Sequence, residues 1–233
     1  MKPNHSLITI ITTLASGAVA QLPGTITPEN HPSLSWQRCT TSSSSCEAVP
    51  ASIVLDAEQR VYYFLNDSSG ADLCYEGNEW DLLCDNLDRP FCIESCGLDG
   101  AEYESVYGIS TDGDSLELRY RTAAAQDASA SKSLNAQVFL LEEGGDRYQT
   151  FTLAGNEVAF DVDLSAVPCG LNAALRFVQM DPDGGMARYE ENEAGARYGL
   201  GYCDATCSRE LKYVGGMVRS HALPRHVSSP FVP

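Results

Sequence analysis

Two pairs of carboxylates stand close together in the sequence, Asp161 with Asp163 and Asp181 with Asp183. Paired carboxyl groups are a common means of hydrolysis, one acting as proton donor and the other as base or nucleophile. Their surroundings argue for a plainer role. Val158-Ala159-Phe160-Asp161-Val162-Asp163 alternates apolar and polar residues as a half-buried strand does, which puts both aspartates on its solvated face. Asp181-Pro182-Asp183-Gly184-Gly185 is a turn signal, in which aspartate caps backbone N–H groups. Neither pair is a catalytic candidate on these grounds. The other residues with evident chemistry are nine cysteines, including Cys92-x-x-x-Cys96 and Cys203-x-x-x-Cys207.

Thiols at such spacings hold a metal or form bridges, and the compartment decides between them. Residues 1–20 run from Met1-Lys2 through Leu7-Ile8-Thr9-Ile10-Ile11 to Ala18-Val19-Ala20, the order of a secretory signal peptide, with Gln21 first after cleavage. The apolar run is too short to cross a bilayer core of ~30 Å. An oxidising destination and the lack of neighbouring histidines favour a disulfide framework over a metal site. An odd number of cysteines leaves at least one without a partner in the chain.

Acidic residues outnumber Lys and Arg by 32 to 15, a formal net charge of −17. Nucleic acid and anionic membrane surfaces are therefore excluded as partners, and a neutral polymer or small molecule fits better.

Short strand-like runs dominate: Ser52 to Asp56, Val61 to Leu65, Leu116 to Tyr120, Ala136 to Leu141, Val158 to Asp163 and Ala174 to Met180. Turn signals separate them at Asn66 to Gly70, Thr111 to Asp114, Gly144 to Asp146 and Asp181 to Gly185. No long stretch has helical periodicity. The expected fold class is all-β, two packed antiparallel sheets of sandwich or jelly-roll type. Asn66-Asp67-Ser68 is an N-glycosylation sequon in an expected surface loop, and Thr122 to Ser133 reads as a solvated loop.

The last stretch differs in composition. Glu210 is the final acidic residue, and Gly215 to Pro233 carries Arg219, Arg225, His221 and His226 with three prolines. It reads either as a disordered basic tail or as a foreign end from an unspliced intron or shifted frame, and Val218-Arg219 is compatible with an in-frame splice donor.

Several motifs together resemble the fungal cellulases of glycoside hydrolase family 7. They are His31-Pro32-Ser33-Leu34-Ser35-Trp36-Gln37-Arg38-Cys39, Leu98-Asp99-Gly100-Ala101, Phe160-Asp161-Val162-Asp163-Leu164 and Val167-Pro168-Cys169-Gly170-Leu171-Asn172. Met180 to Gly185, Ala194 to Gly199 and Gly201 to Asp204 continue the resemblance. It implies a β-sandwich with a carbohydrate cleft, of which this chain supplies an N-terminal part, incomplete at the C-terminus: residues 1–20 a signal peptide, 21–216 part of the catalytic domain, 217–233 a non-native or disordered tail. It also implies the bridges Cys39–Cys46, Cys74–Cys96 and Cys84–Cys92, with Cys169, Cys203 and Cys207 left unpaired because their family partners lie further along.

The family hydrolyses β-1,4-glucan with retention, through a Glu-x-Asp-x-x-Glu motif on one strand. That motif does not occur in this sequence. The resemblance therefore implies a secreted, monomeric cellulase that needs no cofactor, and a chain that as written holds no catalytic carboxylates. The alternative is a short product that binds glucan without cutting it. Asn172, Asp204 and Lys212 match family residues lining the glucan cleft. Val61 stands where cellobiohydrolases carry a tunnel-entrance Trp, and Gln137, Arg176 and Thr206 replace an Arg, a Tyr and a Gln. These departures favour an open, endoglucanase-like cleft, since Val offers no flat face for a sugar ring.

Overall fold

The computed structural model describes residues 22–40, 45–76, 79–81, 95–120, 136–189, 192–202, 213–214 and 217–218. The regular elements among them are strands and two single 3₁₀ turns. No described helix is long and apolar enough to cross a membrane.

In chain order the strands are β1 (Leu22–Pro23), β2 (Trp36–Thr40), β3 (Ser45–Val49), β4 (Ala51–Leu55), β5 (Tyr62–Phe64), β6 (Tyr75–Glu76) and β7 (Glu79–Trp80). β8 (Cys96–Leu98), β9 (Ile109–Asp112), β10 (Ser115–Leu118), β11 (Val138–Glu142), β12 (Tyr213–Val214) and β13 (Met217–Val218) follow. β8 lies between β1, which runs parallel to it, and β5, which runs antiparallel. The other ladders are antiparallel pairs: β2 with β3, β4 with β11, β6 with β7, β9 with β10 and β12 with β13.

β4 organises the core. All five of its residues are buried, as expected of a strand covered on both faces rather than one. Ile53 and Leu55 point to one side and pack with Ala101, Tyr103 and Ile109. Val54 points to the other and meets Leu141, Tyr148 and Ala196. The two-residue period of a strand is what divides neighbouring side chains between these clusters. A third cluster gathers Tyr62, Phe64 and Leu98 with Trp80, Tyr198 and the Cys74–Cys96 pair.

Gly199 closes the chain onto this core. Its carbonyl accepts from Ala57 N–H at 3.2 Å. A Cβ there would lie 2.1 Å from the Leu55 carbonyl oxygen, and the backbone is left-handed at φ +79°, so only glycine fits.

Beneath the sheets lies a buried charge pair. Arg60 donates from Nη1 to Glu29 Oε2 at 2.6 Å and from Nη2 to Oε1 at 2.9 Å, and both side chains are fully shielded from solvent. Glu29 also accepts from the Tyr103 hydroxyl at 2.6 Å and from Ala101 N–H at 2.9 Å. Arg60 also donates from Nε to the Leu55 carbonyl and from Nη1 to the Asp99 carbonyl, while the guanidinium lies 5.3 Å from the Tyr198 ring centroid. His31 Nε2 faces the Arg197 carbonyl at 2.8 Å and Glu29 Oε1 at 3.3 Å. Both are acceptors, so Nε2 carries the proton. Burial alone would raise the Glu29 carboxyl, but the hydrogen bonds from His31, Arg60 and Tyr103 and the Arg60 charge outweigh it and hold its pKa at about 2. Burial likewise pushes the Tyr103 phenol upward.

The strands expected at 52–56, 61–65, 116–120 and 136–141 correspond to β4, β5, β10 and β11. The expected strands at 158–163 and 174–180 do not form: these stretches join no ladder with any described residue. Alternation gives a stretch the ability to pair, and a strand exists only when a neighbour accepts its hydrogen bonds.

The charge pair yields a direct expectation. Glu29→Gln leaves a buried guanidinium without its counter-charge and costs roughly 3–5 kcal/mol in urea unfolding. Glu29→Met combined with Arg60→Met removes both charges and recovers part of that loss. Because the folded carboxyl titrates at about 2 and the unfolded one at about 4.3, its contribution is complete above the unfolded value. It declines as pH falls toward 2. The wild-type melting temperature drops across that window, and Glu29→Gln shows a flatter profile.

Candidate functional site

Among the residues expected to face substrate, Asn172 is described and exposed, on the unpaired stretch 171–180. Asp204, Lys212 and Thr206 lie outside the described residues. Val61 is 46% exposed just before β5, its carbonyl accepting from Asp99 N–H at 3.0 Å. Gln137 donates its N–H to Gln59 Oε1 at 3.0 Å and accepts from Asp56 N–H at 2.9 Å. The Tyr107 hydroxyl donates to the Gln59 carbonyl at 3.3 Å. The structure thus gathers Gln59, Val61, Tyr107 and Gln137 around the 3₁₀ turn Ala57–Gln59 that follows β4. Arg176 and Asn172 are exposed on another stretch and make no hydrogen bond to this group. Gln59 and Tyr107 went unnoticed in the sequence because the contacts that join them span 48 and 78 positions, and no local pattern signals such a pairing.

Three of the four paired aspartates, Asp163, Asp181 and Asp183, take structural roles. Asp163 accepts from Ser165 N–H at 2.9 Å. Asp183 accepts from Gly185 and Ala187 N–H at 2.9 and 2.8 Å, and Asp181 pairs with Arg188 at 3.0 Å. Hydrogen bonds from the Ser165 hydroxyl and N–H lower the Asp163 carboxyl. For Asp183 burial acts upward, but the N–H groups of Ala187 and Gly185 outweigh it and the carboxyl is lowered. A general acid for glycoside cleavage requires the opposite, a carboxyl raised so that it keeps its proton. Every described carboxyl whose pKa is displaced moves down: Glu29, Asp67, Glu117, Asp163 and Asp183.

A polar cleft of about 470 Å³ lies against the charge pair, lined by Asn30, His31, Ser33, Ser52, Glu143 and Gly145 among others. The Glu29 carboxylate at its wall is saturated by Arg60, Tyr103 and Ala101, which removes it as a free base. Among the described residues no group of three or more His, Cys, Asp or Glu is arranged to hold a metal ion.

The family model described as glycosyl hydrolase family 7 matches residues 23–228. The chain belongs to that family. A cellobiohydrolase from Melanocarpus albomyces, solved with cellotetraose, is similar at 47% identity and TM-score 0.75, the match covering 85% of this chain and 44% of that one. A family 7 cellobiohydrolase from Daphnia pulex matches at 35% identity and TM-score 0.75, over 85% of this chain and 43% of its own. An endocellulase from Humicola insolens matches at 31% identity and TM-score 0.72, over 86% and 48%. The chain spans less than half the length of these solved relatives. The all-β expectation holds, and the architecture is that of the family 7 jelly-roll sandwich. The family match extends past Gly216, where composition changes, and the hairpin of β12 and β13 also crosses that position.

Two of the bridges that family 7 implies are present. Cys39 and Cys46 face each other across the β2–β3 ladder and are joined, and Cys74 is joined to Cys96 at the start of β8. Cys84, Cys92, Cys203 and Cys207 lie outside the described residues. Cys169 is a free, exposed thiol. The two bridges close loops of 7 and 22 residues, so chain entropy assigns them unequal weight. Replacing Cys74 and Cys96 by Ala costs roughly 3 kcal/mol in denaturant unfolding, and replacing Cys39 and Cys46 roughly 2 kcal/mol.

Proposed function

We propose that the whole protein is a secreted, monomeric, retaining β-1,4-glucanase that degrades cellulose, and that this chain is its N-terminal part. The observation that carries the reading is the family 7 match over residues 23–228. The relatives add to it: one is a cellobiohydrolase solved with cellotetraose, another an endoglucanase solved with cellobiose. Residues 1–20 direct secretion, and Asn66, exposed in the turn after β5, carries the glycan. Asp67 beside it is fixed by hydrogen bonds from the Ser69 hydroxyl, Ser69 N–H and Asp72 N–H, which leaves the sequon's amide on a rigid, accessible turn.

Asn172, Asp204 and Lys212 bind glucan hydroxyls in this reading. The absence of an aromatic at Val61 supports a cleft open enough for internal cleavage. The carboxylates come from a Glu-x-Asp-x-x-Glu strand that the present sequence does not contain. Further strands of the whole protein supply partners for Cys169, Cys203 and Cys207. The 233-residue chain is accordingly inactive by itself.

Sequencing the transcript across the codons for Val214 to Arg219 tests this most directly. A spliced message that diverges near Gly216 and encodes Glu-x-Asp-x-x-Glu is expected, and a message ending at Pro233 refutes the reading. The 233-residue chain releases no sugar from cellooligosaccharides, whereas the longer product releases sugar with the β-configuration kept. Removal of N-linked glycan lowers the mass of the secreted protein, and Asn66→Gln abolishes that shift.

A further inference from the structure

Aspartate followed by glycine is the dipeptide at which an aspartyl backbone rearranges most readily, because glycine has no Cβ to shield its nitrogen from the neighbouring carboxyl carbon. It occurs three times, at Asp99-Gly100, Asp112-Gly113 and Asp183-Gly184. Rearrangement requires the carboxyl and the following N–H to be released together and to approach each other. The hydrogen bonds at each site therefore decide which can react.

Two of the three are locked. The Asp99 carboxylate accepts from Thr27 N–H at 2.8 Å and from the Thr27 hydroxyl at 2.7 Å, while Gly100 N–H donates to the Thr27 carbonyl at 3.2 Å. A Cβ on Gly100 would lie 2.3 Å from that carbonyl oxygen, so the backbone has no room to turn. The Asp183 carboxylate accepts from Gly185 and Ala187 N–H. Gly184 is buried, and its N–H donates to the Asp181 carbonyl at 2.9 Å. Asp112-Gly113 differs in each respect. Both residues are exposed at the tip of the β9–β10 hairpin. Among the described residues neither the Asp112 carboxylate nor Gly113 N–H has a hydrogen-bond partner. Gly113 is left-handed at φ +61°, and nothing beyond its chain neighbours lies within 4 Å of where a Cβ would be. The turn is held from its other side, where the Gly113 carbonyl accepts from Ser35 N–H at 3.0 Å and from the Ser35 hydroxyl at 3.3 Å.

We propose that Asp112-Gly113 is the site at which this protein undergoes spontaneous aspartyl isomerisation. The Gly113 nitrogen attacks the Asp112 side-chain carboxyl carbon and forms a C–N bond, and the carboxyl hydroxyl leaves with the amide proton as water, closing a cyclic imide. Water then adds back at either ring carbonyl. Addition at the side-chain carbonyl breaks the new bond and restores aspartate. Addition at the main-chain carbonyl breaks the original peptide bond and leaves the chain running through the side chain, as isoaspartate. Mass is unchanged, and no oxidant or reductant is consumed. The product lengthens the backbone by one methylene at the register pair Asp112↔Ser115, which draws the Gly113 carbonyl away from Ser35.

The test holds the intact 233-residue chain for weeks in mildly acidic buffer, well below its unfolding temperature, then digests it and separates the peptides with mass detection. A protein-isoaspartate methyltransferase reports the product independently. The peptide spanning Asp112-Gly113 gains a second peak of unchanged mass and accepts methyl groups. Peptides spanning Asp99-Gly100 and Asp183-Gly184 convert more slowly by about tenfold or more, since hydrogen bonds must open there first. In urea the three sites converge. Asp112→Glu, whose longer side chain closes the ring poorly, loses the signal, and hydrogen exchange at the Ser35 amide is faster in the converted fraction than in the unconverted one. Faster conversion at Asp99 or Asp183 in the folded chain, conversion at Asp112 only in urea, a preference for Asp112 that survives undiminished in urea, or a signal that persists in Asp112→Glu overturns the proposal. None of these results bears on family membership or on the activity of the whole protein.

Discussion

The buried contact between Glu29 and Arg60 ties together three connecting segments that lie outside the strands themselves. Glu29 lies between β1 and β2, Arg60 follows β4, and the Asp99, Ala101 and Tyr103 groups that complete the shell follow β8. Two opposite charges withdrawn from water are tolerable only when their remaining protons and lone pairs are also met. Here they are met mostly by backbone, through the carbonyls of Leu55 and Asp99 and the N–H of Ala101. The loops that supply those groups are thereby held in place, and β4 and β8 acquire a fixed separation.

That cluster was invisible in the sequence. Glu29, Arg60 and Tyr103 stand far apart, and nothing local to any of them announces a partner. β4 and β11 were legible, because apolar runs bounded by turn residues report burial directly. The stretches 158–163 and 174–180 show where such reading stops: the alternation is present, but no described neighbour takes up its hydrogen bonds. Of the disulfides, residue types established only that bridges were expected, and the pairing came from family resemblance. The register of β2 with β3, which sets Cys39 opposite Cys46, is the physical reason that the shortest of those bridges closes.

Of the candidate site, sequence pattern names single positions and no arrangement. Gln137, read as a departure from the family's substrate contacts, bonds through its backbone to Gln59 and Asp56 beside the turn after β4, a pairing across the sequence that no local signal announces. Asn172 stands apart, exposed on the unpaired stretch 171–180. The electrostatics of the described residues belong to scaffolding: each displaced carboxyl is lowered by donors that lock a turn, a core contact or, for Glu117, an exposed pair with Arg119. Glycoside cleavage needs a carboxyl displaced the other way, and no described carboxyl of this chain, which spans less than half its relatives' length, is raised.

The parallel pairing of β1 with β8 sets Leu22 beside Gly97 and Pro23 beside Leu98. A chain made and delivered from its N-terminus must therefore hold its first strand open until the partner has emerged. Closing so long a loop is entropically costly until the contacts along β8 are available to offset it. The order of assembly is thus constrained by topology: the β2–β3 and β9–β10 hairpins close locally, whereas the N-terminal strand is sealed late. Throughout that interval the beginning of the chain is the part most exposed to processing enzymes and least committed to the fold.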